Sequence, residues 1–247
     1  MHIQNHFIAK AASVALIFFV AGQSNAATYK AQSSSLAGPI PYSERDEITW
    51  VDSSSPFAIT TSSASALSRG ASTADIGQGI LRLGSATSGF SNEGLTWAIH
   101  ATSSADGYFG DNFILTAPTG AGGLYDNVTL TLTAKIWVWG DQSTFGSIDK
   151  RAPADGYSAT SEFYSHGQLA GPQGSQTYTV ANIKYVSESS SSNSGQGVLG
   201  WQLLTIPVSF GESVAVNLTG HTSVFGGSAG YGSFSASSDF SHTMGWG

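Results

Sequence analysis

The chain lacks cysteine entirely and is poor in charge. With no thiol among its 247 residues, disulfides, thiolate zinc sites and cysteine nucleophiles are all excluded. Charged residues make up 10% of the chain, against roughly 25% in a typical domain, and the Lys and Arg residues form no cluster. Nucleic acids and anionic membrane surfaces are therefore not expected as partners. A hydrophobic content of 40% still argues for a packed core rather than disorder.

Long hydrophobic runs are also missing after residue 26. The one apolar run, AASVALIFFVAG, covers Ala11–Gly22; it follows Lys10 and precedes the small residues of Ser24–Ala26. This order of segments is typical of a cleavable signal peptide, which we predict over residues 1–26. The run is shorter than the roughly 20 residues that a membrane-spanning helix needs. We expect an exported protein of the extracellular space or outer cell surface, without a transmembrane segment in the mature chain.

Strand-like alternation is the strongest pattern that is present. From Val128 to Trp139, Leu, Ala, Ile and Val alternate with Thr, Lys and Trp, as in a strand with one buried face. After the predicted signal peptide no segment has a helical period, and short strands recur between turn signals. The sequence therefore predicts an all-β fold, an antiparallel β-sandwich of jelly-roll type.

The domain organisation follows from composition. Residues 27–79 are a polar, Ser- and Pro-rich lead-in, for which we predict only short strands within the same domain. Residues 80–247 are expected to form the sandwich itself. The Gly- and Pro-containing segment 140–174 predicts a long loop. A change of apolar phase at Leu203–Leu204 predicts a β-bulge or a corner.

Two tryptophans form the clearest candidate binding site. Trp137 and Trp139 share one face of the predicted strand, where side chains at this spacing stand about 6.8 Å apart. Two indoles so placed could form a flat platform that stacks against sugar rings. The alternative is that another sheet or the long loop predicted after them covers this face. Trp50, Trp97 and Trp201 are expected to pack in the core or at a sheet edge.

A Gly-broken acidic segment gives a candidate metal site. Asp106, Asp111 and Asn112 could supply oxygen ligands to calcium, which takes about six to eight of them. Their spacing does not match an EF-hand loop, and the alternative is that they make ordinary Asx turns. We expect no cofactor, and calcium is the one alternative that the sequence leaves open.

Catalytic motifs are weak. Gly226–Gly230 matches G-x-S-x-G, but a nucleophile elbow needs a helix after it and another strand is predicted there. His100, His166, His221 and His242 have no metal-binding or catalytic spacing. A secreted hydrolase is therefore only a third hypothesis, and we expect a protein that is not an enzyme.

Three segments resemble a known family. They are DNFILTAP at Asp111–Pro118, IPVSFG at Ile206–Gly211 and FSASSDFSHTM at Phe234–Met244. Their order resembles that of exported β-rich proteins of Gram-negative bacteria that carry a PEP-CTERM sorting tail, over about residues 95–247. The resemblance implies a surface or matrix protein linked to exopolysaccharide, with no catalytic residues. The family's Pro-Glu-Pro tail, with its apolar helix and terminal Arg residues, does not follow Gly247, which leaves open a truncated chain and a freely secreted one.

These observations together predict a function without catalysis. We expect an exported, non-enzymatic surface or extracellular-matrix protein that acts in adhesion, biofilm or exopolysaccharide-associated assembly. The alternative is a carbohydrate-binding module that uses Trp137 and Trp139 to bind exopolysaccharide or other glycans.

Overall fold

The structure is a computed structural model that describes residues 25–39, 43–91, 98–117, 123, 128–149, 151, 155–188, 191–196 and 200–246. The predicted signal peptide, except for its last two residues, and Trp97 lie outside this part of the chain. The described residues form β-strands and short connections without an α-helix. No helix with the length and apolarity to cross a bilayer occurs among them.

Two antiparallel sheets form the molecule, which confirms the predicted all-β antiparallel sandwich. Sheet A has the strand order β11 (Ser191–Gln196), β10 (Gly174–Ser187), β9 (Gly156–Gly171), β13 (Ser213–Ala229), β6 (Ile99–Ile114), β1 (Asn25–Pro39) and β2 (Glu44–Ser53). Sheet B has the order β12 (Gly200–Ser209), β7 (Thr129–Val138), β14 (Gly232–Trp246), β5 (Ile80–Phe90), β4 (Ser68–Gly77) and β3 (Phe57–Ala64). A further strand, β8 (Asp141–Ile148), pairs with β14 beyond the end of β7.

The strand predicted from alternation is β7. Ile136 and Val138 are fully buried, while Thr129, Thr131 and Thr133 on the opposite face are exposed. The alternation of apolar and polar side chains matches the two-residue repeat of a strand, so the sequence defines which face enters the core.

The lead-in was expected to hold only short strands, and this prediction is wrong. Within it, β1 is 15 residues long and lies between β6 and β2, and β4 pairs with β5 in the other sheet. The inward positions of β1 are small: Ala31, Ser33, Ser35 and Ala37 are all buried. Because alternating Ala and Ser carry little contrast in hydropathy, a long strand here has a weak sequence signal.

The long loop predicted over 140–174 is also wrong. The segment forms β8, most of β9 and the turn that follows it. In β9 the inward side chains include Ser161, Phe163, Ser165 and Leu169, which alternate with exposed Glu162 and half-exposed polar residues. Buried serines break the apolar pattern from which strands are usually predicted.

No bulge occurs at Leu203–Leu204, contrary to the prediction. The register of β12 with β7 runs without a shift from Gly200 opposite Val138 to Ser209 opposite Thr129. Leu204 and the alternate residues after it face the core, whereas Leu203 is 51% exposed. The apparent change of phase arises because the outward face of β12 carries large apolar residues at one end.

One end of the interior is apolar and joins the two sheets. Its cluster includes Ile136 and Val138 of sheet B together with Phe109 and Leu218 of sheet A. At its centre Phe163 of β9 stacks on Phe240 of β14, with ring centroids 3.4 Å apart and planes inclined by 8°.

Toward the other end of the strands the interior is lined by hydroxyl groups, which we call the hydroxyl core. The oxygens of Ser33, Thr61 and Ser72 lie within 2.6–2.9 Å of one another, and Ser85 bonds Thr222 at 2.8 Å. The buried Ser and Thr side chains are Ser33, Ser35, Thr61, Ser63, Ser68, Ser72, Ser85, Thr87, Ser91, Ser103, Ser161, Ser165, Thr222, Ser228 and Ser238. Where facing hydroxyls bond one another, the hydrogen bond offsets the cost of removing them from water. The hydroxyl oxygens of six members have no such partner among the described residues: Ser35, Ser63, Thr87, Ser91, Ser165 and Ser228.

Candidate functional site

Two tryptophans stand side by side on the outer face of sheet B, and a third is exposed just after β7; we call Trp137, Trp201 and Trp139 the Trp face. Trp137 of β7 stands directly opposite Trp201 of β12 in the strand register, and Trp139 follows at the end of β7. Trp139 is 51% and Trp201 is 58% exposed, whereas Trp137 is half-buried. Cross-strand neighbours on one face have Cβ atoms about 4.5–5.5 Å apart, so the first two indoles belong to one surface.

The indole of Trp137 lies across the neighbouring strand because a glycine stands opposite it. Gly245 of β14 pairs with Trp137, and a Cβ atom at Gly245 would come 2.6 Å from Cζ2 of that ring. The absent side chain therefore makes the space that the indole occupies. This packing explains why Trp137 is more buried than the other two tryptophans.

A cation and an aliphatic side chain complete this surface. Nζ of Lys135 lies 5.2 Å from the centroid of the Trp201 ring, within the range of a cation–π contact. Leu203, which stands opposite Lys135, is 51% exposed. Large apolar groups clustered on a surface commonly mark a binding site.

Trp137 thus lies on the outward side of β7, as the alternation predicts, and Trp139 is exposed just beyond the end of that strand. The segment expected to cover them instead forms β8 and β9. Trp50 and Trp201 lie on the edge strands β2 and β12, and both are at least half exposed rather than part of the core. The sequence does not predict that Trp201 belongs to the same surface as Trp137, because the two residues are more than sixty positions apart in the chain.

The candidate calcium residues lie in a strand and not in a loop. Asp106, Asp111 and Asn112 all belong to β6. Five residues of extended chain separate the Cα atoms of Asp106 and Asp111 by about 17 Å and place their side chains on opposite sides of the sheet. Oδ1 of Asp111 accepts a hydrogen bond from the backbone N–H of Asn112 at 2.8 Å. The structure does not bring the three together, and no group of three metal-ligating His, Asp or Glu side chains occurs among the described residues.

Asp106 instead belongs to a polar row across the outer face of sheet A. Its Oδ1 lies 2.7 Å from Nδ1 of His221, and its Oδ2 accepts a hydrogen bond from Nε2 of Gln32 at 2.7 Å. The hydrogen bond to Asp106 raises the pKa of His221, with further contributions from the charges of Asp106 and Glu162; burial acts in the opposite direction. The row therefore holds His221 in a fixed orientation and favours its protonated form.

No local sequence pattern points to this row. His221 follows Asp106 by 115 residues, and only the pairing of β13 with β6 places them side by side. Local spacing, which identifies many metal and catalytic motifs, carries no information about such a pair.

The G-x-S-x-G match lies at the end of β13 and in the hairpin to β14, as the predicted second strand implies. Ser228 is 3% exposed, whereas a nucleophile elbow presents its serine to the substrate.

Comparison of the chain with protein-family models, with curated proteins and with solved structures finds no match. Function must therefore be inferred from the side chains on the two outer faces of the sandwich.

Proposed function

We propose that the chain is an exported, non-enzymatic protein of the bacterial surface or extracellular matrix, and that it binds exopolysaccharide through the Trp face. The observation that carries this proposal is the pairing of Trp137 with Trp201 on one outer sheet face, with Trp139 just after β7 and two of the three at least half exposed. Carbohydrate binding by these tryptophans would be the way in which a matrix protein adheres to the polymer.

The chemistry of the Trp face suits a sugar polymer. An indole offers a large flat apolar surface, and the C–H faces of a pyranose ring can stack on it while the hydroxyl groups stay in water. Tryptophan is also the residue that most often dominates the energy of a binding surface. Lys135, held near the Trp201 ring, adds a hydrogen-bond donor at the rim.

Export is supported by the sequence of residues 1–26 and the surface location by the resemblance to PEP-CTERM proteins. A disulfide-free domain with few charges can still fold outside the cell because its two sheets share a continuous apolar cluster. Adhesion, biofilm formation and exopolysaccharide assembly are the roles that this combination favours.

The test is binding to immobilised cellulose, dextran, galactomannan and alginate. We expect retention on at least one uncharged polysaccharide, and we expect Trp201→Ala to weaken it at least about tenfold, the loss typical of an important tryptophan contact. Phe145→Ala is the matched control, because Phe145 is 61% exposed but lies on β8, outside the Trp face. Retention on none of the four polymers, or equal affinity of both variants, would contradict the proposal.

A further inference from the structure

A groove of about 610 Å³ lies on the outer face of sheet A, and its size is within the range of about 300–1,000 Å³ of small-molecule sites. Trp50 of β2 and Tyr164 of β9 line it and are 50% and 42% exposed. Asp106 and His221, which are neighbours on β6 and β13, also line it. Two aromatic side chains thus flank a polar floor in one open groove.

The polar floor is held in place by hydrogen bonds. Asp106 joins His221 on one side and Gln32 on the other, both at 2.7 Å. Tyr108, which also lines the groove, donates a hydrogen bond from its hydroxyl group to Oδ1 of Asn217 at 3.0 Å. Fixed planar polar groups of this kind can recognise hydroxyl groups without a large loss of side-chain entropy on binding.

Charge on the groove lining is balanced when His221 is protonated. Nζ of Lys30 lies 3.4 Å from Oδ2 of Asp52, and His221 pairs with Asp106. Lys30 and Asp52 are therefore partners of opposite sign. Asp106 is paired with a charged His221, or accepts a hydrogen bond from the ring when His221 is neutral. An uncharged, hydroxyl-rich ligand fits this lining, because an anionic one would compete with Asp52 and Asp106.

The groove and the Trp face point in opposite directions. Ala105 and Ile136, which flank the outward residues Asp106 and Trp137 along their strands, are buried in the same apolar cluster between the sheets. Stacked sheets lie about 10 Å apart, so a straight stretch of polymer that lies on one outer face cannot reach the other. Two sites so arranged would engage two different chains.

We propose that this groove is a second glycan-binding site, which takes a stretch of an uncharged polysaccharide between Trp50 and Tyr164 over the Asp106–His221 pair, and that the protein cross-links two polymer chains. The cross-linking rests on the proposed function of the Trp face, whereas binding in the groove does not.

Binding in the groove is measured in a background from which the two exposed tryptophans of the Trp face have been removed. In the double variant Trp139→Ala/Trp201→Ala, affinity electrophoresis in hydroxyethyl cellulose, dextran or galactomannan should still show retardation in at least one gel. Adding Trp50→Ala or Tyr164→Ala should weaken this residual binding at least about tenfold. Adding Phe145→Ala should leave it unchanged, and equal melting temperatures would exclude unfolding as the cause. Residual binding that survives both groove substitutions would overturn the proposal.

Cross-linking is measured by bridging. A surface coated with the retained polysaccharide captures the protein, which should then hold a fluorescent form of the same polymer. We expect Trp50→Ala to be captured but to lose most of the bridged signal. Bridging by Trp50→Ala at the wild-type level would overturn the second site and leave the proposed function standing. Loss of binding in Trp50→Ala, with full binding in Trp201→Ala, would support the groove and contradict the proposed function of the Trp face.

A chemical readout separates binding from turnover. The polymer is incubated with the wild type and with His221→Gln, and reducing ends are counted. We expect no release above a protein-free control. Release that depends on His221 would overturn the binding proposal and replace it by glycan hydrolysis.

Discussion

Replacing Phe240 with alanine removes half of the ring pair that joins the two sheets. Phe240 is fully buried and Phe163 is 2% exposed, and their rings stack with centroids 3.4 Å apart. Gly140 lies against the same ring, because a Cβ atom at Gly140 would collide with Cδ1 of Phe240. The ring therefore has close neighbours from β9 and from the bend between β7 and β8.

The expected loss follows from this packing. Burying a phenylalanine side chain contributes about 1.5–3 kcal/mol through the area removed from water, and the cavity left behind raises the cost of Phe→Ala to about 3–5 kcal/mol. The contact with the Phe163 ring is lost in the same substitution and is part of this cost. We expect Phe240→Ala to lower the free energy of unfolding by about 4 kcal/mol.

Urea unfolding followed by tryptophan fluorescence and far-ultraviolet circular dichroism measures this loss. With a slope of about 2–3 kcal/mol per molar urea, the midpoint should fall by about 1.3–2 M at constant slope. Phe163→Ala should lose a similar amount, and because the two rings are in contact the double variant should lose less than the sum by about 0.5–3 kcal/mol. Phe145→Ala, at an exposed site, should change stability by less than about 0.5 kcal/mol. A loss below about 1 kcal/mol for Phe240→Ala would refute the burial and stacking described above.

Two further predictions concern the outer faces. Gly245→Ala should displace the indole of Trp137 and weaken polysaccharide binding by about threefold to tenfold. The control is Gly84→Ala, where a Cβ atom would meet nothing within 4 Å, and this variant should bind like the wild type. Equal binding by both variants would argue against a contact between Trp137 and the polysaccharide. Because the hydrogen bond with Asp106 raises the pKa of His221 above 6.5, the stability that this pair adds should be fully present below about pH 6.5 and lost as the pH rises through the folded-state pKa. The difference in unfolding free energy between the wild type and His221→Gln should thus be larger at about pH 6 than at about pH 9, and a difference that is constant or grows with pH would contradict this assignment.

The sequence predicted those parts of the fold in which large apolar residues alternate with polar ones. β7 is such a strand, and its inward and outward faces follow from Val128–Trp139 alone. Strands whose inward residues are Ser and Ala were missed or shortened, as in β1 and β9, because a buried hydroxyl that bonds across the interior resembles a surface residue in the sequence. Tertiary hydrogen bonds, which local hydropathy does not report, decide the structure there.

The candidate sites also include residues that the sequence predicts and residues that it does not. Trp137 and Trp139 were found because they are two residues apart on one strand. Trp201 and the pair Asp106–His221 depend on strand pairing between distant segments. A two-residue repeat defines which side of a sheet a residue occupies but not which residue stands beside it, since register depends on the whole sheet.

The hydroxyl core affects how strongly the stability of the fold depends on temperature. Exposing apolar surface raises the heat capacity of unfolding, whereas exposing polar surface lowers it. An interior in which Ser33, Thr61, Ser72 and their neighbours replace aliphatic side chains therefore unfolds with a smaller heat-capacity change than an aliphatic core of equal size. The curve of stability against temperature becomes flatter. Such a sandwich would lose little stability between cold and warm surroundings.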